Sequence, residues 1–262
     1  MQATTLALVG ATGGAGTTRT AVELAALGAR DGRDVAVVDA AFTTQGLSEY
    51  VSGRIGTDLT TLITDETGAS LSAATYPIAP EGGSAADGDD ADLRGRADVI
   101  PARAPFERVA RAKTAEAAKK LERRVDEAAT SYDAVIVDAA PVGSNEAVAG
   151  VTVADRRAAV FPATTHGRDA LQRLRGRVAD VGAGLDRSIA VARNADEADT
   201  EGGDGGADVR LPPADAAIES APTAAAGDGA YARAVAAAFE DAFDATVGVE
   251  FEEPGLVDRL TP

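Results

Sequence analysis

The stretch from residue 4 to residue 39 limits the possible folds of this chain more than any other. Residues 4–9 (TTLALV) form a short apolar run that ends in Gly10, and GATGGAGTTRT follows over residues 10–20. Residues 21–30 (AVELAALGAR) then place Val22, Leu24, Ala25, Leu27 and Gly28 at spacings that fit a helix lying on a sheet. Asp31-Gly32 ends that helix. Residues 35–38 (VAVV) are continuously apolar, as expected for a parallel strand buried on both faces, and stop at Asp39. Strand, glycine loop, helix and strand make a βαβ unit.

The alternation continues downstream. Residues 45–66 read as one or two short helices, 98–102 as a short strand, and 114–129 as a charged amphipathic helix. Buried strands are expected at 134–137 (AVIV, ending at Asp138), 158–161 and 188–192, the last ending near Asn194. Helices are expected at 146–154, 168–181 and 229–245, and a last strand at 209–211, closed by Pro212-Pro213. Residues 81–98 and 195–207 are Gly-, Asp- and Ala-rich and read as exposed acidic loops. The pattern predicts an α/β fold: one doubly wound, mostly parallel sheet over residues 1–245, with an acidic tail at 246–262.

Composition narrows the partners. The chain of 262 residues carries 42 acidic against 25 basic residues, a formal net charge of −17. Lysine occurs only at Lys113, Lys119 and Lys120, so arginine supplies nearly all positive charge. Such acidity repels nucleic-acid backbones and anionic lipid, and neither direct nucleic-acid binding nor membrane binding is expected. It fits a halophile, whose cytoplasm is rich in salt, or an acidic partner-binding surface. Cysteine is absent, which excludes disulfides and thiolate sites. The first residues run straight into a strand pattern, and no apolar run approaches the roughly 20 residues of a membrane span, so a cytoplasmic protein is expected. The tail (VGVEFEEPGLVDRLTP) has one cation, Arg259, and contains Pro254; it reads as an extension or a short docking peptide.

Ligands of open α/β sheets sit beyond the carboxyl ends of the strands, where the loop 10–18, Asp39 and Asp138 all fall. Gly10, Gly13, Gly14 and Gly16 would let successive backbone N–H groups curl into an anion nest, and the helix dipole adds to it. Thr18 would stand where P-loops place a Mg²⁺ ligand. The alternative is a glycine-rich turn without ligand. Asp39 and Asp138 read either as Mg²⁺-site carboxylates or as caps of the loops that follow. Asn194 reads as a base contact or a turn residue, and His166 as a loop residue before a helix.

The loop resembles that of the MinD/ParA group of deviant P-loop ATPases, which runs Lys-Gly-Gly-x-Gly-Lys-Thr-Thr; here it reads Thr12-Gly13-Gly14-Ala15-Gly16-Thr17-Thr18-Arg19. VAVVDAAFTTQGL (35–47) resembles the family's switch I, YDAVIVDAAP (132–141) its Walker B and switch II, and SIAVARNA (188–195) the strand whose Asn flanks adenine. VRLPPADAAIESA (209–221) resembles the stretch that closes the base pocket, with Pro212 in it. The resemblance spans residues 4–245 and implies a P-loop NTPase fold. It implies ATP or ADP with Mg²⁺ as cofactor, held by Gly13, Gly14, Ala15, Gly16, Thr17, Thr18, Asn194 and Pro212. The metal would be held by Thr18, Asp39 and Asp138. It also implies a homodimer and a protein partner.

The departures bear on chemistry. Thr17 replaces the lysine that neutralises the β/γ-phosphates, Thr12 the lysine that reaches across a dimer, and Ala41 the aspartate that orients water. Asp39 and Arg19 are the remaining catalytic candidates, with Arg19 either a substitute cation or an ion-pair partner. Three readings stay open: a nucleotide-binding switch with weak or absent hydrolysis, a pseudo-ATPase interaction scaffold without nucleotide, and an active ATPase that uses Arg19. In the first and third, Gly16→Val is expected to block binding by filling the nest.

Overall fold

A computed structural model describes residues 3–78, 93–198, 207–215 and 217–251. Eight strands form one sheet: β1 (Thr4–Gly10), β2 (Asp34–Ala40), β3 (Tyr76–Pro77), β4 (Arg96–Ile100), β5 (Ala134–Ala139), β6 (Arg156–Pro162), β7 (Arg187–Val191) and β8 (Val209–Leu211). Their order is β3-β4-β2-β5-β1-β6-β7-β8, and every pair is parallel except the edge pair β3–β4. The helices are α1 (Thr17–Arg30), α2 (Leu59–Thr64), α3 (Phe106–Ala112), α4 (Ala115–Ala129), α5 (Asn145–Val153), α6 (Thr165–Asp180), α7 (Ala195–Ala198) and α8 (Ala230–Phe243).

Alternation along the central strands builds two core layers. Leu6, Leu8, Val35 and Val37 face α1 and α8, while Ala7, Val9, Ala36 and Val38 face the layer that contains α4, α5 and α6. Both faces of each strand are buried, which is why these runs read as continuously apolar. Small residues set the helix–sheet distance. A Cβ on Gly28 would stand 2.7 Å from Val35 Cγ2 and 3.0 Å from Phe239 Cε2, so α1 can nestle between β2 and α8 only with glycine there. The sheet is the expected doubly wound, mostly parallel one.

Several boundaries differ from expectation. Helix α1 starts at Thr17 rather than residue 21, because the glycine loop feeds straight into it. Helix α6 starts at Thr165, where the Thr164 hydroxyl accepts from Gly167 N at 3.1 Å, which puts His166 in the first turn. Strand β4 starts at Arg96, so residues 96–98 are strand rather than loop; residues 81–92 lie outside the described residues. Ala195–Ala198 is a helical turn within the second acidic stretch, whose residues 199–206 also lie outside them. Strand β3 and helix α3 were not anticipated.

The first residues of the tail lie on the sheet's amino-terminal side. Gly248 N donates to Asp31 Oδ1 at 2.6 Å and Val247 N to Glu240 Oε1 at 2.9 Å. The Phe251 ring sits between the guanidiniums of Arg30 and Arg233, 5.2 and 5.3 Å from its centre. Residues 252–262 lie outside the described residues.

Candidate functional site

The chain order reverses around β1: β5 and β2 lie on one side, β6, β7 and β8 on the other. Beyond the carboxyl ends of β1 and β5 lies a cavity of about 340 Å³, lined by Gly10, residues 12–19, Ala41, Thr44, Gly46, Tyr50 and residues 138–141. It is the crevice that strand reversal creates in open α/β sheets.

Backbone geometry makes the loop a concave turn at the start of α1. Gly14 and Gly16 have φ of 69° and 90°, values that side chains resist. Gly16 caps α1 without a side-chain hydrogen bond, and the first turn holds no acid. Ala11 N is held by Val160 O at 2.8 Å, and Thr20 N makes the first helical bond, to Gly16 O at 2.9 Å. Between them, the N–H groups of Gly13, Gly14, Ala15, Gly16, Thr17 and Thr18 have no acceptor among the described residues. A helix start that leaves its donors open to a cavity has the donor geometry that anions use. At Gly16 a Cβ would meet Val191 Cγ1 at 3.5 Å, an ordinary contact within the protein. Within the protein itself, Gly16 is demanded by its φ of 90°.

Two carboxylates flank the cradle in register, Asp39 on β2 beside Asp138 on β5. Thr18 Oγ1 donates to Asp138 Oδ2 at 2.7 Å. With its O–H directed at Asp138, the hydroxyl keeps its lone pairs available to a cation. Asp138 Oδ1 is buried and has no hydrogen-bond partner among the described residues. Asp39 is 0% exposed; its Oδ1 accepts from Ala41 N at 2.8 Å and its Oδ2 from Ala102 N at 3.1 Å. Asp39 therefore also fixes the loops after β2 and β4. Burial, then the neighbouring Asp138, pushes Asp39 up to about 7. Burial, partly offset by the Thr18 hydrogen bond, pushes Asp138 up to about 6. Gly46 closes in from the loop after β2, where a Cβ would lie 3.5 Å from Thr18 Oγ1.

The other sequence candidates are distributed as follows. Thr17 stands over the loop entrance, 2.8 Å from where a Gly10 Cβ would be. Arg19 is on the cavity lining, and its guanidinium is bonded to Glu23, Asp215, Ala217, Ser220 and Thr223. Asn194 is exposed and its Oδ1 accepts from Glu197 N at 2.9 Å, the turn role. Pro212 is half-buried after β8. Asn194 and Pro212 are not on the cavity wall.

Two basic groups escaped the sequence reading. Arg193 reaches back from the end of β7 to donate from Nη2 to Gly14 O at 2.7 Å. Lys113 Nζ lies 3.2 Å from Glu146 Oε1 and donates to Thr43 Oγ1 at 2.9 Å, tying the loop after β2 to the start of α5. No local signal marks either group, because each depends on contacts across distant segments.

Comparison with known proteins places the fold. No protein-family model matches the chain, and no curated protein sequence matches it. Solved structures do. The chain is similar to the cell division ATPase MinD of Pyrococcus furiosus, with a TM-score of 0.66 and 14% identity over 91% of this chain and 97% of that one. It is similar to the septum site-determining protein MinD of Pyrococcus horikoshii OT3, complexed with Mg-ADP, with a TM-score of 0.61 and 15% identity over 81% and 82%. A ParA family ATPase from Chlorobium tepidum TLS gives 0.63 and 20% over 82% and 87%. The fold is the α/β fold of the MinD/ParA P-loop NTPases. Among the described residues, no helix is long and apolar enough to cross a membrane.

Proposed function

We propose that the chain is a nucleotide-binding switch protein of the MinD/ParA type that holds ATP or ADP with Mg²⁺ and hydrolyses it slowly or not at all. The observation that carries the reading is the row of unaccepted N–H groups over residues 13–18, opening on the cavity beside the Thr18–Asp138 pair. The donor set fits Mg²⁺: a hydroxyl with free lone pairs and an orphaned buried carboxylate oxygen are hard oxygen donors. Thr18 and Asp138 would hold the ion, directly or through water, with Asp39 stabilising the loops around it. When bound, the ion supplies positive charge that offsets the phosphates and both carboxylates.

The missing lysines set the rate. A cation about 4 Å from a phosphate oxygen contributes about 4 kcal/mol at the effective dielectric of a protein surface. Phosphoryl transfer depends mainly on such charge and on positioning, so Thr17, Thr12 and Ala41 together remove most of the catalytic power. The bonds of Arg19 to Glu23, Asp215 and Thr223 weigh against its standing in for the lysine. Partners would read the loops after Asp39 and Asp138, and a homodimer around nucleotide in the cytoplasm belongs to the same reading.

The second reading, a scaffold without nucleotide, is favoured by the Asp138 carboxylate on the cavity wall, with Asp39 buried beside it and no lysine in the loop. Titration with a fluorescent ATP analogue and Mg²⁺ in molar KCl, with phosphate release followed in parallel, separates the two. Saturable binding without turnover is expected. No binding at millimolar nucleotide would leave the scaffold.

A further inference from the structure

Gly13 and Gly14 form the lip of the glycine loop, and little packs against them. A Cβ on Gly13 would meet nothing within 4 Å, and one on Gly14 would meet only Arg193 Nη2, at 4.0 Å. Gly14 and Gly16, with φ of 69° and 90°, stand on either side of Ala15. The peptide plane that joins Gly14 to Ala15 therefore borders the least restrained backbone of the loop. Left alone, such a plane turns over easily, and a loop that works through its N–H groups then presents a carbonyl where a donor should be.

Arg193 fixes that plane. Its Nη2 donates to Gly14 O at 2.7 Å. The Gly14–Ala15 peptide is trans, and in a trans peptide the C=O and the N–H point opposite ways. Drawing the Gly14 carbonyl towards the end of β7 turns the Ala15 N–H to the other side. Strands β6 and β7 lie on one side of β1, and β5 and β2 on the other. The loops after β5 and β2 supply the facing wall of the cavity, through residues 138–141, Ala41, Thr44 and Gly46. The Ala15 N–H, which has no acceptor among the described residues, is thus directed towards the cavity. Arg193 is itself held in place. Its backbone N donates to Glu197 Oε2 at 2.8 Å, and Glu197 N donates to Asn194 Oδ1 at 2.9 Å, so α7 closes on the residues that carry the guanidinium. Glu197 O accepts from Arg210 Nη1 at 2.7 Å, which ties the turn to β8.

We propose that Arg193 is a positioning residue for phosphate: it locks the Gly14–Ala15 peptide so that the Ala15 N–H stays turned towards a bound polyphosphate, and it makes no contact with the phosphate itself. The proposal rests on the nucleotide-binding reading given above and deepens it. With Thr12 and Thr17 where lysines would stand, backbone donors carry the binding, and their orientation has to be set by a group outside the loop.

The test uses Arg193→Met, which removes the donor, and Arg193→Lys, which keeps one. In the ligand-free protein, the Ala15 amide signal should move in the methionine variant and return in the lysine variant. In calorimetric titrations in molar KCl, the methionine variant should bind Mg-ATP and Mg-tripolyphosphate about fivefold more weakly, the scale of one hydrogen bond, and the lysine variant should stay within about twofold of wild type. The fold-change should be the same for both probes, because the peptide meets phosphate and not the nucleoside. It should also persist when KCl is raised well above molar, because no charge of Arg193 acts on the ligand. An Ala15 amide that stays in place in the free methionine variant overturns the proposal, as does undiminished binding of both probes. Weakening confined to Mg-ATP would put Arg193 on the nucleoside, and weakening that fades as KCl rises would put its charge on the phosphates; either result overturns it and leaves the phosphate loop standing. A wild-type protein that binds neither probe overturns the nucleotide reading itself, and this inference with it.

Discussion

Replacing Thr18 by valine keeps the β-branched shape and removes a single hydroxyl. Among the described residues that hydroxyl is the one hydrogen-bond partner of the Asp138 carboxylate, which is 1% exposed and whose Oδ1 has none. A hydrogen bond to a charged group contributes about 2 kcal/mol, and a buried acceptor left bare loses that amount. In a chain of this size, about 2 kcal/mol lowers the melting temperature by about 4–8 °C. The loss should depend on pH in a defined direction. Asp138 already has a raised pKa in the folded protein, about 6, and Thr18 is what holds it down. Without the hydroxyl it rises further, so the deficit is full well above that value and shrinks at pH 5, where the carboxyl is neutral. Thermal unfolding in molar KCl at pH 8 and pH 5 measures both effects. Thr18→Ser, which restores the hydroxyl, should recover most of the loss. Mg-ATP at 100 times its dissociation constant should add about 2.7 kcal/mol to wild type and far less to the valine variant. A valine variant that melts with wild type at both pH values, or one that serine does not rescue, would refute the reasoning.

Other outcomes follow from the same geometry. Gly16→Ala has room beside Val191 but must adopt a φ of 90°; it should cost about 1–2 kcal/mol in unfolding and abolish nucleotide binding by turning the loop's N–H groups. Chelation of Mg²⁺ should eliminate binding outright rather than weaken it, since Asp138 lines the cavity with Asp39 buried next to it and neither loop lysine is present, a contrast that titration with and without EDTA reads directly. Because Asp39 and Asp138 hold protons in the folded chain that they release when unfolded, the metal-free protein should lose stability as pH rises from about 4 to about 7. Denaturant unfolding across that range should show a flatter slope in Asp138→Asn than in wild type.

The fold was legible because its signals are local. Apolar runs at 4–9, 35–38 and 134–137, each stopping at a glycine or an aspartate, announced buried parallel strands whose ends line one crevice. The glycine loop between strand and helix announced the cradle. What escaped depends on chain segments meeting from far apart. Position alone allowed Arg19 to be a substitute cation or an ion-pair partner; its direction is decided by Glu23 together with carbonyls almost 200 residues away. Arg193 and Lys113 escaped for the same reason, as their partners Gly14 and Glu146 are neighbours only once the sheet has assembled. Strand β3 is two residues long, ends in Pro77 and lies at the sheet edge, too short for any alternation to appear. The requirement for glycine at position 16 was visible in the sequence, but its cause, a positive φ, was not.

Amide proton and nitrogen shifts recorded while Mg-ATP is added to isotope-labelled protein in molar KCl would address the cradle itself. The signals of Gly13, Gly14, Ala15, Gly16, Thr17 and Thr18 should move together, saturably, and in the direction of stronger hydrogen bonding. If millimolar Mg-ATP leaves those six amides where they were, the loop does not hold phosphate, and the nucleotide account of this protein fails.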